Sequence, residues 1–377
     1  MGKPGTPPGS FRKDRGAPPH RGLALIRGHG GEVYHLARAL SLAPEEILDF
    51  SSNVSPLPPP EGLYELLSAH LSEIERLPEA DSFSLREALA ARFGGAPERY
   101  LPSSGTTEWI FALPRALGPR RVLILAPTYA DYEDASRAAQ VPVKILFARE
   151  EDLFHPPLKE LTREIRPKDL VFLCNPNNPT GVFLPRASLS ELIYSFPEAT
   201  FVVDESYLPF AAEERESLLT LDPFPENLVV LFSFSKIYRV PGLRLGFAAA
   251  EGPLGGVLSD WQLPWAVNRL AQVAGPFLLS RKDHEERVRA LVREERPRLA
   301  QGLSALGLRV FPSEANFVLT KLPENLSGER IFEELLKRKI LVRVCGNFRG
   351  LSENFLRFAL RSPAENDRLL QALADLL

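Results

Sequence analysis

The sequence predicts an α/β protein with a mostly parallel central sheet that is covered by helices on both faces, and a smaller α+β domain after it. Two observations predict this fold. Between residues 122 and 232, short and continuous apolar runs alternate with helical segments. Strands of a parallel sheet are buried on both faces and therefore read as continuous apolar runs. After residue 270, a long charged helix is followed by shorter strands and helices.

The first half of the chain supplies the elements of the central sheet. Helices are predicted near 61–72, over 84–94 and over 109–117, and a strand is predicted at 100–102. The predicted parallel strands are 122–125, 143–147, 170–173, 201–203 and 228–232. Helices are predicted between them at 130–139 and 187–195. In the second half, the predictions are a helix over 281–305, strands at 316–319, 340–344 and 355–360, and helices at 328–338 and 364–376.

Composition narrows the class of protein. The chain has 377 residues, 44% hydrophobic and 25% charged, with a net charge of -3. This balance favours neither nucleic acid nor a membrane as a partner, and no apolar run approaches the roughly 20 residues that span a bilayer. The amino-terminal residues lack the apolar core of a signal peptide, and two cysteines, Cys174 and Cys345, make no disulfide framework. We therefore expect a cytoplasmic protein.

The amino-terminal region predicts a tail and a turn. Residues 1–24 are rich in Gly, Pro, Lys and Arg, which predicts a disordered basic tail. Gly28-His29-Gly30-Gly31 then precedes a helical pattern that includes Val33 and Leu40. Glycines before a helix expose backbone amides that can bind an anion, and His29 could add a proton donor. The alternative is a flexible turn with an exposed histidine.

One stretch, 233–247, indicates a cofactor. Lys236 follows the buried strand 228–232, and a Pro-Gly turn and Arg244 follow the lysine. A lysine amine can bind an aldehyde as a Schiff base, while the Ser233 hydroxyl and the Arg244 guanidinium suit a phosphate. An aldehyde and a phosphate on one small molecule describe pyridoxal 5'-phosphate (PLP). The alternative is a surface lysine and a solvated arginine.

Polar residues directly after the predicted strands support the same cofactor. Ligands of open α/β sheets bind beyond the carboxyl ends of the strands. There, Tyr129 could stack on a flat ring, and Asp204 could pair with a protonated pyridine nitrogen. Asn178 and Tyr207 could donate to a ring phenolate. Each residue alone could be a turn, cap or core residue, but their joint occurrence at successive strand ends indicates a site.

A second phosphate-binding signal lies at a predicted helix start. Gly105, Thr106 and Thr107 offer backbone amides, two hydroxyls and the positive end of the helix dipole. Simple capping by Thr106 is the alternative.

Two arginines near the carboxyl terminus predict an anion site. Arg357 interrupts the apolar residues of the strand 355–360, and Arg343 lies in the strand 340–344. A charge inside a buried strand costs free energy unless an anion or an acidic partner pairs with it. The alternative is that both arginines form surface salt bridges.

Taken together, these motifs resemble the fold-type I PLP enzymes, the aspartate-aminotransferase superfamily. The matching motifs are Pro-Thr-Tyr at 127–129, Asn-Pro-Thr-Gly at 178–181, Asp204 with Tyr207, Ser233-x-x-Lys236, and Arg244. The resemblance covers nearly the whole chain after residue 28. It implies a homodimer with one PLP-binding and one smaller domain. We expect a segment at 25–50 that joins the small domain, a large domain at 51–270 and a small domain at 271–377.

The resemblance also implies a role for each site residue. Lys236 resembles the lysine that binds PLP covalently, and Asp204 and Tyr207 complete the predicted catalytic set. The predicted cofactor-binding residues are Gly105, Thr106, Thr107, Tyr129, Asn178, Asp204, Tyr207, Ser233, Lys236 and Arg244. The predicted substrate-binding residues are His29, Asn53, Asn178, Arg343 and Arg357.

Two groups within the superfamily compete for the reaction. The stretches His29-Gly30-Gly31, 48–57, 264–268 and 361–366 resemble the threonine-phosphate decarboxylases of cobalamin synthesis. Tyr207 instead resembles the histidinol-phosphate aminotransferases, and Leu77 departs from both groups, which usually have tyrosine there. We expect decarboxylation of threonine phosphate, with transamination as the alternative and a phosphorylated amino acid or amine as the substrate. A catalytically silent PLP-fold binding protein is disfavoured because Lys236 and Asp204 are present.

Overall fold

The structure, a computed structural model, describes residues 31–211 and 216–377. Within these ranges, the central feature is a seven-stranded sheet in the order β2-β8-β7-β6-β5-β3-β4. Its strands are β2 (Tyr100–Ser103), β3 (Arg121–Ala126), β4 (Val143–Phe147), β5 (Asp169–Cys174), β6 (Thr200–Asp204), β7 (Leu228–Ser233) and β8 (Gly246–Ala249). Neighbouring strands from β4 to β7 are parallel, and β8 pairs antiparallel with both β7 and β2. The predicted fold class is confirmed.

The described helices are distributed along the whole chain. In chain order they are α1 (Val33–Leu40), α2 (Leu63–Ala69), α3 (Phe83–Phe93), α4 (Thr106–Leu117), α5 (Asp131–Ala138), α6 (Leu158–Glu164), α7 (Arg186–Ser195), α8 (Leu208–Ala211), α9 (Phe234–Ile237), α10 (Gly252–Trp261), α11 (Arg269–Leu279), α12 (Lys282–Ala305), α13 (Gly328–Lys337) and α14 (Pro363–Ala374). Short 3₁₀ helices lie at Pro44–Glu46, Leu71–Glu75, Pro97–Arg99, Leu218–Thr220 and Pro241–Leu243.

The two faces of the large sheet pack into two separate cores. Successive side chains of a strand point to opposite faces, so each strand contributes to both. Leu123 and Leu125 of β3 join one core with residues of α3, α7 and α11. Val122 and Ile124 of the same strand join the other core with residues of α4, α5 and α10. Because both faces are covered, the strands are apolar throughout, which is why the sequence pattern was continuous.

The carboxyl-terminal part of the chain forms a smaller sheet. Four strands, β9 (Arg309–Val310), β10 (Phe317–Lys321), β12 (Arg343–Val344) and β13 (Phe355–Ala359), pair antiparallel in the order β12-β13-β10-β9. The predicted strand 340–344 is therefore divided. Its first half, β11 (Ile340–Leu341), pairs in parallel with β1 (Leu48–Asp49) instead.

The residues after β1 are tied to the small sheet by the backbone. The Phe50 amide donates to the Leu341 carbonyl at 2.7 Å, and the Phe50 carbonyl accepts from the Ala359 amide at 2.9 Å. Phe50 itself is fully buried. This pairing fixes the start of the segment 51–54, which continues into the cavity described below.

Most predicted elements lie within a residue or two of their observed bounds. The predicted helix near 61–72 is instead α2 followed by a 3₁₀ turn, Leu71–Glu75. Five of the described helices, α6, α8, α9, α10 and α11, were not predicted. In the part of the chain that the structure describes, no helix is long and apolar enough to cross a membrane.

Candidate active site

A cavity of about 550 Å³ lies beyond the carboxyl ends of β5, β6 and β7. It brings together nearly all of the predicted site residues, which come from segments far apart in sequence. The predicted residues that line it are Asn53, Gly105, Thr106, Thr107, Tyr129, Asn178, Asp204, Tyr207, Ser233, Lys236, Arg244 and Arg357. Parallel strands aim their carboxyl ends at one edge of a sheet, and this common edge explains the convergence.

Lys236 lies in the short helix α9, directly after β7. Its ammonium nitrogen is 6.0 Å from the centre of the Tyr207 ring, and its backbone carbonyl accepts a 2.8 Å hydrogen bond from the Ser55 amide. The neighbours Ser233 and Ser235 are buried and also line the cavity. The lysine amine is thus presented to the cavity from a turn whose backbone is anchored by β7 and by Ser55.

Asp204 is the last residue of β6 and is buried. One carboxylate oxygen accepts from the Ser206 amide at 3.0 Å, and the other accepts from the Tyr132 hydroxyl at 2.9 Å. Burial nevertheless raises the pKa of Asp204 above its ordinary value, because these donors and the charge of Lys236 compensate the lost hydration only in part. A cationic N–H in the cavity would supply the remaining compensation.

Gly105 and Arg244 meet at the start of α4. Gly105 precedes the helix with a φ of +82°, and a Cβ at this position would lie 2.6 Å from Nη2 of Arg244. Only glycine combines that backbone angle with so close an approach of the guanidinium. The exposed arginine therefore stands beside the backbone amides at the amino end of the helix, next to Thr106 and Thr107. Amides, hydroxyls, a guanidinium and a helix dipole at one place form an anion cradle.

An aromatic group lies behind Asp204. The Tyr132 ring stacks on the Phe172 ring at 4.8 Å with an interplanar angle of 9°, and the Tyr129 ring meets Tyr132 edge-on at 5.7 Å. Tyr129 reaches the cavity surface. Tyr129 is therefore held by packing against Tyr132, and its stacking on a cofactor ring stays a prediction.

Arg357 crosses from the small sheet to the cavity and is buried, in agreement with the prediction of a buried charge. One terminal nitrogen donates to the side-chain oxygen of Asn178, and the other donates to the Ser51 carbonyl at 2.6 Å. Its Nε has no partner. On the same side, the Asn53 amide lies 3.4 Å from the Tyr207 hydroxyl. A substrate group could therefore be bound where the two sheets approach each other.

The structure places one predicted substrate residue, Arg343, outside this cavity. Arg343 pairs with Arg357 across β12 and β13 and is also buried, but it lines a neighbouring cavity of about 470 Å³. Its guanidinium donates to the Asn347 side chain at 2.6 Å, and burial, together with the charge of Arg357, lowers its pKa to about 10. His29 lies outside the described residues. A substrate role for either residue stays a prediction.

Sequence reasoning missed several residues that line the cavity, namely Tyr132, Ser206, Ser235, Arg239 and Arg361. Tyr132 lies within the predicted helix 130–139, where a tyrosine is indistinguishable from a core residue. Ser206 lies two residues after Asp204, a spacing at which an aspartate can accept from a backbone amide, so this signal was available. Arg239 gave no signal that distinguishes it from a solvated arginine, and Arg361 belongs to the stretch 361–366 that resembles the decarboxylases but was assigned no role of its own.

The residues present fit PLP. The cradle at Gly105 and Arg244 suits a phosphate, the buried Asp204 carboxylate suits a protonated ring nitrogen, and Lys236 suits an aldehyde. The Oγ of Ser206 and Oδ1 of Asn53 are buried polar atoms without partners, which leaves hydrogen-bonding capacity at the cavity wall.

The fold and the cavity thus define a class, that of α/β enzymes with a lysine and a phosphate cradle at the edge of a parallel sheet. Comparison with known proteins gives the family. Residues 45–373 match the family "Aminotransferase class I and II", and the chain belongs to it. Members of this family use PLP.

Relatives within the family have two different names. The chain is 35% identical over 365 residues to a threonine-phosphate decarboxylase of Salmonella typhimurium, covering 94% of this chain and 98% of that protein. It is 32% identical over 370 residues to a histidinol-phosphate aminotransferase of an Anaeromyxobacter species, covering 96% and 98%. It also matches a longer bifunctional protein of adenosylcobalamin biosynthesis from Leptospira interrogans at 33% identity and spans 41% of that protein's length.

Solved structures agree with this grouping. The crystal structure of L-threonine-O-3-phosphate decarboxylase from Porphyromonas gingivalis superposes with a TM-score of 0.78 at 30% identity, covering 88% of this chain and 99% of that one. Since both kinds of relative match at similar identity, the comparisons establish the family and leave the substrate to be argued from the cavity.

Proposed function

We propose that this protein decarboxylates L-threonine O-3-phosphate to carbon dioxide and aminopropanol phosphate, with PLP as its cofactor. The observation that supports this proposal is the charge of the cavity wall. Five cationic residues line the cavity, whereas two carboxylates, Asp49 and Asp204, do so; the cations are Lys236, Arg239, Arg244, Arg357 and Arg361. With Lys236 and Arg244 assigned to the cofactor, three arginines are left for the substrate.

This surplus of arginines favours a substrate with two anionic groups. Threonine phosphate carries a carboxylate and a phosphate a short distance apart. Histidinol phosphate carries a phosphate but no carboxylate, so it would leave more of the buried positive charge without a partner. Because a buried charge without a partner is costly, the doubly anionic substrate fits the wall better.

The chain's own residues divide the work of binding. Gly105, Thr106, Thr107, Ser233 and Arg244 would hold the cofactor phosphate, and Asp204 would hold the ring nitrogen in its protonated form. Tyr129 would lie against the ring, and Asn178 and Tyr207 would bind its phenolate oxygen. When bound, PLP supplies an electron sink for the pair released at the substrate Cα.

The choice of broken bond depends on how the substrate is held. If the arginines bound the phosphate, the carboxylate would be left without an ion pair, and the chemistry that PLP supplies would act on its bond to Cα. The Cα–carboxylate bond breaks, carbon dioxide leaves, and a proton must then be delivered to Cα. Lys236 would hold and return that proton, because it lines the cavity beside the proposed cofactor residues.

The alternative is transamination of histidinol phosphate. Tyr207 and the aminotransferase relatives favour it, and the same Lys236 would then remove the Cα proton instead of returning one. Both reactions share the cofactor and the catalytic lysine, and they differ in which substituent of Cα the arginines align.

The deciding experiment is a product assay on the purified, PLP-loaded protein. With threonine phosphate alone, we expect stoichiometric carbon dioxide and aminopropanol phosphate without any keto-acid acceptor. Lys236→Ala serves as the inactive control. A keto product from histidinol phosphate that requires 2-oxoglutarate, with no carbon dioxide from threonine phosphate, would refute the proposal.

The predicted homodimer also stays a proposal. Leu71, Ile74 and Leu77 expose between 54% and 76% of their surface on one short segment, and such apolar exposure is typical of a contact surface. Light scattering after size exclusion should give twice the mass of the chain.

A further inference from the structure

We propose that Arg239 and Arg361 form a second anion subsite in the cavity, which binds the phosphate monoester of the substrate and is separate from the cofactor cradle at Arg244. The inference rests on the proposed function only in taking a phosphorylated molecule as the substrate. The motif argument from sequence assigned neither residue to substrate or cofactor.

The fold brings these two arginines to the same cavity from different parts of the chain. Arg239 follows α9, three residues after Lys236, and Arg361 follows β13 of the small sheet. Both line the cavity. Burial, and after it the charge of Arg361, lowers the pKa of Arg239. Two guanidinium groups from distant parts of the chain are thus brought to the wall of one cavity.

The acid beside this pair is already engaged. Glu365 lies 3.4 Å from a terminal nitrogen of Arg361. Its other carboxylate oxygen accepts from the Ser362 amide at 3.0 Å and from the Ser362 hydroxyl at 2.6 Å, as the cap of α14. One carboxylate, shared with a helix cap, leaves a net positive charge on the pair, and a dianion would neutralise it.

Hydrogen-bonding capacity points to the same pair. Arg361 is only 8% exposed, and its Nε is buried without a partner. Arg239 makes one long bond, 3.4 Å, to the Pro56 carbonyl. The Nε of Arg357 is likewise without a partner, but both of its terminal nitrogens already donate to protein oxygens, those of Asn178 and Ser51. Arg239 and Arg361 are therefore better able to accept a new anionic ligand than Arg357 is.

The ligand class follows from these groups. Two guanidinium groups offer paired N–H donors, which match the oxygens of a phosphate monoester better than the two oxygens of a carboxylate. Arg244 is beside Gly105 and the start of α4, so a phosphate held by the cradle leaves the Arg239–Arg361 pair unoccupied. The substrate would be held by its phosphate at this pair while its amine is near Lys236.

The test uses PLP-loaded protein, variants of the two arginines and a control variant outside the cavity. Arg239→Gln and Arg361→Gln remove one fork each, Arg239→Lys keeps the charge without the fork, and Arg338→Gln alters an arginine that pairs with Asp375 outside the cavity. The probes are inorganic phosphate, measured by titration calorimetry, and threonine phosphate, measured by steady-state kinetics.

We expect Arg239→Gln and Arg361→Gln to weaken inorganic phosphate binding by about ten- to a hundredfold, because a charge-assisted contact is lost. The KM for threonine phosphate should rise by a similar factor, with kcat and the Kd of PLP changing by less than about threefold. Arg239→Lys should lie between wild type and Arg239→Gln, and Arg338→Gln should match wild type. If Arg361→Gln does not fold, the result is decided by Arg239→Gln alone, because Arg239 is only half-buried.

Two outcomes would overturn the inference. Unchanged phosphate affinity in Arg239→Gln would show that the pair binds no phosphate, and a parallel loss of PLP affinity would assign the pair to the cofactor. Failure of the proposed reaction is distinguishable, because inorganic phosphate is not turned over. If threonine phosphate gives no carbon dioxide, loss of phosphate binding in the variants would still support the subsite.

Discussion

The Tyr132 hydroxyl donates a 2.9 Å hydrogen bond to Oδ2 of Asp204, and the Ser206 amide donates to Oδ1. Burial raises the pKa of Tyr132 well above its ordinary value, so the hydroxyl keeps its proton and remains a donor. Stacking on Phe172 fixes the ring. Asp204 is therefore oriented by two donors, one from α5 and one from the turn directly after β6.

Asp204→Asn should retain bound PLP but lose most of its activity. An asparagine cannot hold the ring nitrogen protonated, so the cofactor would be a poorer electron sink, while the phosphate cradle stays intact. Absorbance spectra and kcat/KM of the variant check this. Activity within a few-fold of wild type would mean that Asp204 does not face the ring nitrogen.

Tyr132→Phe should have a smaller effect of the same kind. The loss of one hydrogen bond to a buried carboxylate corresponds to about 1.5 kcal/mol, or roughly a tenfold decrease in kcat/KM. The pH titration of the cofactor absorbance should shift as well, since the carboxylate loses one of its two donors. Tyr194→Phe, on the surface, is the matched control. An unshifted titration would restrict Tyr132 to a packing role.

Borohydride reduction of the loaded protein should attach the cofactor to Lys236 and to no other lysine. Among the described residues that line the cavity, Lys236 is the one lysine. Peptide mapping by mass spectrometry identifies the labelled residue. A label on Lys144 or Lys159 would remove the basis of the proposed site.

Gly105→Ala should reduce PLP affinity, whereas Gly94→Ala should not. Both glycines have a positive φ, so both variants suffer backbone strain of about 1–2 kcal/mol. Only at Gly105 would the added Cβ meet Arg244, whereas at Gly94 no atom lies within 4 Å. Arg244→Ala should lower PLP affinity by about ten- to a hundredfold. Equal PLP affinities in the two glycine variants would contradict the cradle.

Glu205 should make the protein less stable as the pH rises. Burial raises its pKa from 4.5 to about 7, although Ser217 and the Leu218 amide donate to its carboxylate. The folded state therefore binds this proton more tightly than the unfolded state does. The stabilisation is complete below pH 4.5 and is lost as the pH rises through 7, a change of up to about 3 kcal/mol in the free energy of unfolding.

The measurement is urea denaturation of the cofactor-free protein between about pH 5 and pH 8. Glu205→Gln should flatten the dependence on pH, while the exposed Glu191→Gln should leave it as in wild type. An unchanged slope in Glu205→Gln would assign the dependence to other groups.

The sequence was informative wherever a residue's role depends on its position after a buried strand. Asp204, Lys236 and Asn178 could be placed because parallel strands end at one edge, and the apolar runs located those ends. Glu205 shows the limit of this reasoning. It is adjacent to Asp204 but turns to Ser217, since successive residues at a strand end point in opposite directions.

The rest of the site depends on contacts between distant segments, which periodicity does not encode. Arg239 and Arg361 are 122 positions apart, and they line one cavity because the small sheet packs beside its edge. Arg343 is a case in which the sequence placed a charge in a strand but not in its cavity. The residue is buried and lies in β12, which is separate from β11. Its side chain donates to Asn347 and lines a different cavity.

The pairing of β1 with β11 has a consequence for how the chain acquires its structure. Leu48 and Phe50 bond to Lys339 and Leu341, almost three hundred positions later, and Phe50 also accepts from Ala359. During synthesis, the backbone groups of residues 48–50 have to wait for these partners until most of the chain has been translated. Closing so long a loop carries a high entropic cost that only the finished small sheet can repay, so we expect this junction to form late. The segment that follows this junction and lines the cavity, 51–54, would then be among the last parts of the protein to become ordered.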